Sequence, residues 1–160
     1  MVCRATCKEI SMPIRAVAYA SEAIREIAAD GLGQTEGKLC AIVDDAARFN
    51  RNAGVTGVLL FDGEHFLQYL EGPEDGLSVA YSRVIGASSH TGLVELQRGR
   101  VGHRRLPFWP MRWLPAELHE LGRIAKADWT DFAQGERTAE QGPSGMDLLL
   151  GAVKQQVAAI

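Results

Sequence analysis

The sequence predicts an α+β fold: a ferredoxin-like βαββαβ sheet with an added fifth strand and two helices on one face, with C-terminal helices expected over the other. Three observations predict it. Residues 55–70 hold two β-rich runs around Asp62-Gly63, a pair that favours a tight hairpin because glycine tolerates positive φ. Two segments of helical period, Lys38–Ala53 and Asp75–Ile85, flank that hairpin. Both hairpin strands are apolar on both faces, so each side of the sheet needs a cover.

The elements follow in order. Ile14–Tyr19 (IRAVAY) reads as the first strand, with Val, Ile and Tyr at useful places. Ser21-Glu22 and AIREIAA could start a helical turn, but Gly31, Gly33 and Gly37 break it up. In the first long helix Leu39, Ile42, Val43, Ala46, Ala47 and Ala53 share a face, and Gly54 is its stop. Val55–Phe61 and His65–Leu70 are the hairpin strands, with Glu71-Gly72-Pro73 ending the second. Leu77, Ala80, Tyr81 and Val84 form the stripe of the second helix. Leu93–Val101 reads as the fourth strand and Pro107–Trp113 as a short fifth. Leu118, Leu121 and Ile124, then Met146, Leu149, Leu150, Val153 and Val157, mark the covering helices, joined through a linker at 141–145. A partner subunit could supply the same cover.

Composition narrows the function. The chain has 160 residues, 46% apolar and 23% charged, with a net charge of −3, which suits one domain with a short appendage. That balance points to neither a nucleic-acid nor a membrane partner. Cys3, Cys7 and Cys40 form no disulfide framework or four-ligand zinc site, so reduced thiols and a cytoplasmic location are expected. Residues 1–12 lack a signal-peptide core and read as a flexible extension, with Met12 an alternative start. The expected organisation is that extension, a ligand-binding domain over 13–113 and a helical extension over 114–160.

Three polar residues interrupt the apolar pattern. Asn50 continues the stripe Ile42, Ala46, Asn50, Ala53, so an amide points into the helix–sheet interface. Phe66, Gln68 and Leu70 share a strand face by alternation. An unsatisfied buried amide costs about 1–3 kcal/mol, so each needs a partner: a helix-to-sheet hydrogen bond, a water or a polar ligand. Tyr19 lies in a strand that this topology sets beside the Gln68 strand, and its hydroxyl also seeks an acceptor.

These residues carry a resemblance. AVAYAS (16–21), ARFN leading through GVTGVLLFDGEHFLQYLEGP (47–73), and LPFWPM (106–111) resemble the BLUF domain, a blue-light sensor that uses flavin. The similarity runs in order from Ile14 to Arg112. It implies that Asn50 bonds the flavin ring and that Tyr19 and Gln68 form the photoactive pair. Ile42 and Ala46 would line the ring, with Arg48 and His90 near the ribityl and phosphate groups. Phe49 joins that binding set, although a polar Asn or His is common there. Trp109 and Met111 resemble the signal-relay pair. The cofactor implied is FAD, with FMN or riboflavin as alternatives.

The mechanism implied is a loss of one electron from Tyr19 to the excited flavin, with a proton following through Gln68. A phenol of ordinary pKa about 10 becomes strongly acidic once oxidised. Recombination then leaves Gln68, with its donor and acceptor ends, rotated or tautomerised and bonding the flavin carbonyl more strongly. That red-shifts absorption and favours a new packing of Trp109 or Met111. The resemblance implies a receptor that signals through a homo-oligomer or a separate protein partner, with no turnover of its own.

The chain departs from the family pattern in places. The Tyr19–Asn50 segment is longer, Ser88-Ser89-His90 replaces an acidic–Arg–His run, and Pro110 stands where serine is common. These departures support a competing expectation, a BLUF-like interaction module without flavin. A hydrolase on a similar sheet would need an Arg and Asn on a phosphate loop, which the sequence does not offer.

Other motifs are weak. Residues 31–37 (GLGQTEG) place the last glycine one position late for a dinucleotide loop. His65, His90, His103 and His119 lack metal-ligand spacing. The basic run Arg98, Arg100, His103, Arg104, Arg105 reads as a solvated strand end.

Overall fold

A computed structural model describes residues 13–28, 34–130, 132 and 142–158. The expected extension over 1–12, with Cys3 and Cys7, lies outside the described residues, as do Gly31 and Gly33 of the glycine-rich segment. Cys40 is a free, exposed thiol.

The chain folds as β1 (Ile14–Ala23), α1 (Arg25–Ala28), α2 (Gln34–Ala53), β2 (Thr56–Phe61), β3 (His65–Pro73), α3 (Glu74–Ile85), β4 (His90–Gly102), β5 (Arg112–Pro115), α4 (Leu118–Ala125) and α5 (Gly145–Ala158). One five-stranded sheet runs in the order β4-β1-β3-β2-β5. The first four strands pair antiparallel and β5 joins β2 in parallel. This is the split βαβ arrangement with its added edge strand.

Alternation along the strands sorts the side chains into two cores. Val17, Tyr19, Leu59, Phe66 and Leu70 meet Leu39 and Val43 of α2 and Leu77 and Ala80 of α3. On the other face Ala16, Ala18, Val58, Leu60 and Tyr69 meet Leu121 and Ile124 of α4 and Met146, Leu149 and Val153 of α5. The C-terminal helices therefore cover the second face, although Leu118 and Val157 remain exposed.

Several boundaries differ from the pattern-based expectation. β1 runs through Ser21-Glu22 because Ser21 and Glu22 pair with Phe66 and His65; the helical turn is the short α1 that follows. α2 begins at Gln34, ahead of Lys38. β3 does not stop at Glu71, since Glu71, Gly72 and Pro73 pair with Ala16, Arg15 and Ile14. The fifth strand is Arg112–Pro115 rather than Pro107–Trp113. Pro107 and Pro110 carry no N–H to donate to a ladder, so this stretch only approaches the sheet, through Trp109 O accepting from Gly57 N at 2.9 Å.

Two glycines have a conformational task. Gly54, at φ 71°, closes α2; Val55 N then donates to Asn50 O at 2.9 Å, a Schellman closure that fixes the last turn. Gly63, at φ 104°, sits in the hairpin loop. There Asp62 Oδ1 accepts from Glu64 N and His65 N at 2.8 and 2.7 Å. The loop is thus wider than a two-residue turn, because the aspartate side chain organises it.

Gly76 brings α3 against the end of α2: a Cβ there would lie 2.1 Å from Ala53 O. Gly76→Ala is expected to destabilise the fold by about 1–3 kcal/mol, as overpacking does. A thermal melt checks this, with a fall of several degrees expected.

Candidate functional site

The gap between the sheet and helices α2 and α3 opens into a cavity of about 130 Å³. Its walls include Ile42, Val43, Leu59, Phe66, Leu70 and Met111, and its polar lining includes Tyr19, Asn50, Gln68 and His90. The three amide and phenol groups singled out above therefore meet in one place.

Register places the central pair. Tyr19 on β1 is directly opposite Gln68 on β3, and both are buried. Tyr19 O–H donates to Gln68 Oε1, and Gln68 Nε2 donates to Met111 Sδ at 3.5 Å. A thioether is a weak acceptor, so one end of the amide is held firmly and the other loosely. Burial, with Tyr81 nearby, pushes the Tyr19 phenol well above its ordinary pKa. Tyr19 therefore keeps its proton across the neutral range.

Asn50 reaches the cavity because the stripe of α2 faces the sheet. It is buried and donates Nδ2–H to Pro110 O at 2.7 Å. Pro110 thus takes part through its carbonyl, the backbone group it retains.

His90 lines the cavity beside Tyr19, with ring centroids 5.9 Å apart. Its Nε2 is 2.7 Å from Val84 O and its Nδ1 2.8 Å from Ser21 Oγ. A carbonyl only accepts, so Nε2 carries the proton. Both ring nitrogens are engaged, and His90 is a wall tying β1 to the end of α3 rather than a free phosphate donor.

Not every expected residue joins the site. Arg48 is exposed on α2 and lies outside the cavity lining, because it sits off the apolar stripe. Phe49 also stays out of the lining, its ring packed under the Arg83 guanidinium at 4.4 Å. Met111 and Trp109 are separated: Met111 is in the cavity, while Trp109 packs against the opposite core with Arg112 stacked on it at 4.6 Å. Pro110 breaks the alternation that would have put both on one face.

Arg83 and Asp45 are the residues the pattern missed. Both line the cavity, paired at 3.4 Å, so a cation stands there on α3 instead of at Arg48. Arg83 lies three residues after Ala80, on the edge of the stripe, and that spacing could have identified it.

The donor set fits the flavin implied by the sequence. A flat ring with carbonyl and N–H edges matches apolar walls carrying two carboxamides and a phenol, with a cation near by for a phosphate. The chemistry available is hydrogen bonding along Tyr19, Gln68 and Met111, with proton movement between the Tyr19 hydroxyl and the Gln68 amide oxygen.

Comparison with known proteins agrees. The family model for BLUF, sensors of blue-light using FAD, matches residues 14–112. The blue light- and temperature-regulated antirepressor BluF of Escherichia coli (strain K12) is 36% identical over 90 residues, covering 56% of this chain and 22% of that protein. The structure of BlrP1 BLUF is 28% identical at a TM-score of 0.59, over 88% of this chain and 89% of that one. Klebsiella pneumoniae BlrP1 with FMN and cyclic diGMP is 31% identical at a TM-score of 0.55, covering 64% of this chain and 26% of that one. This chain thus spans about a quarter or less of the antirepressor and of that longer BlrP1 chain.

Proposed function

The chain belongs to the BLUF family of flavin-using blue-light sensors, and from that premise we propose that Tyr19 and Gln68 are its photoactive pair and Asn50 its principal flavin anchor. The observation that carries this reading is the continuous chain Tyr19 O–H to Gln68 Oε1 and Gln68 Nε2 to Met111 Sδ, lining one cavity with Asn50.

A bound flavin supplies light absorption and a strong one-electron oxidant in its excited state. The protein supplies the rest. Asn50, anchored on Pro110 O, would bond a flavin in this cavity, and Ile42 and Ala46 would pack against it. Tyr19, once it loses an electron, becomes strongly acidic and passes its proton to Gln68 Oε1 along the existing bond; when the electron returns, Tyr19 takes a proton back from Gln68 and is again a neutral phenol. Gln68 then settles with its amide re-aimed, surrendering a weak thioether contact. Met111 registers the change, since its sulfur loses or regains that donor. Arg83, rather than Arg48, holds the phosphate end, which favours FAD or FMN over riboflavin. Residues 13–113 form the sensing unit, and α4 and α5 cover the other face of its sheet. Output passes to a separate protein or a second copy, as the antirepressor relative suggests, with no reaction catalysed by this chain.

Flavin titration tests the binding half of this reading. FMN and FAD should bind more tightly than riboflavin; no binding of any of the three would overturn it. Asn50→Ala should weaken binding about ten- to a hundredfold, the loss of about 1–3 kcal/mol. The flavin-free melting temperature should move only a few degrees.

A further inference from the structure

One buried acidic side chain, Glu71, stands apart from the Tyr19–Gln68 pair. Glu71 lies three residues beyond Gln68 on β3 and is completely buried. Alternation puts it on the opposite face of the sheet, away from the cavity. A buried carboxylate must be met by donors, and here they are unusual in origin. Oε1 accepts from Leu106 N at 2.8 Å and Arg105 N at 3.0 Å, and from Thr56 Oγ1 at 3.2 Å. Oε2 accepts from Tyr69 O–H at 2.7 Å and Arg105 N at 2.9 Å. The Tyr69 phenol, raised by burial and by Glu71 beside it, keeps its proton for that bond.

Two consecutive backbone N–H groups of the β4–β5 connection thus rest on one carboxylate. The same connection ends at the photochemical amides: Pro110 O accepts from Asn50 and Met111 Sδ from Gln68. Between these anchors Pro107 and Phe108 are exposed, Phe108 by 87%. So β3 grips the connection twice, with Glu71 on one face and Gln68 on the other.

We infer that Glu71 is a positioning residue for the light response, setting where Pro110 O and Met111 Sδ stand against Asn50 and Gln68. It touches neither cavity nor cofactor and acts through the connection it clamps. This rests on the flavin reading above. With the clamp removed, Met111 and Pro110 no longer cage the amides, the barrier to their return falls, and the dark state recovers faster.

The test is dark recovery after a blue flash, measured on the full chain loaded with FMN. Glu71→Ala should bind FMN, form the red-shifted state and recover about tenfold faster. Glu71→Gln can keep an acceptor at Oε1 and turn its N–H toward the Tyr69 oxygen, so it should restore recovery to within about threefold of wild type. Leu149→Ala, which opens a cavity in the same core without removing a bond to the connection, should recover at the wild-type rate. Wild-type recovery in Glu71→Ala, or equal acceleration in Glu71→Ala and Leu149→Ala, would overturn the inference. Should Glu71→Ala not fold, Tyr69→Phe carries the test. It removes the phenol that aims the carboxylate, and should accelerate recovery about threefold; an unchanged rate counts against the inference. A wild-type protein that binds FMN without any light-induced shift removes the premise itself, and that is seen before any variant is made.

Discussion

Gln68→Leu is expected to retain flavin and to lose the light-induced red shift entirely. Leucine is close to glutamine in size, and position 68 is buried among Leu59, Leu70 and Phe66, so the cavity keeps its shape. What disappears is the group that accepts from Tyr19 and donates to Met111. Tyr19 is then left with a buried hydroxyl and no acceptor, a cost of about 1–3 kcal/mol. A lower melting temperature should therefore accompany the lost response. Difference spectroscopy on the purified variant checks this, and a normal shift would remove Gln68 from the mechanism.

Tyr19→Phe should silence the same response by a different route. The ring stays, and so does its packing against Tyr81 and His90, at centroid distances of 6.0 and 5.9 Å. The proton and the oxidisable phenol go. Flavin content should be near wild type, because the residue lost no wall of the cavity. Tyr81 is the nearest alternative phenol, so Tyr19→Phe/Tyr81→Phe is the informative companion. A slow residual shift in the single variant that vanishes in the double one would assign it to Tyr81. A wild-type shift in both would exclude Tyr19 and Tyr81 as donors.

The main features of this site were legible because they violate a simple pattern. An amide on the apolar stripe of α2 and another inside an apolar strand stand out without any structure. That β1 lies beside β3 follows from the split βαβ order, whereas the register that sets Tyr19 opposite Gln68 is seen only in the structure. Arg83 was hidden for a different reason: it sits at the edge of a stripe, where a long cation can serve either solvent or cavity. In the sequence Glu71 reads as a strand terminator, since Glu-Gly-Pro has the composition of a turn. Only the pairing with Ala16, and donors more than thirty residues away in the chain, reveal it as a clamp. Trp109 depends on how Pro110 redirects the backbone, which side-chain alternation does not encode.

The central claim is that light rearranges a hydrogen-bonded amide around the flavin and makes no stable covalent product. The absorption spectrum of the flavin-loaded protein, taken before, during and after blue illumination, tests it most directly. The account predicts that the visible bands move together to longer wavelength at nearly constant intensity and return fully in darkness. Bleaching of those bands, or a spectrum that does not change at all, would contradict it.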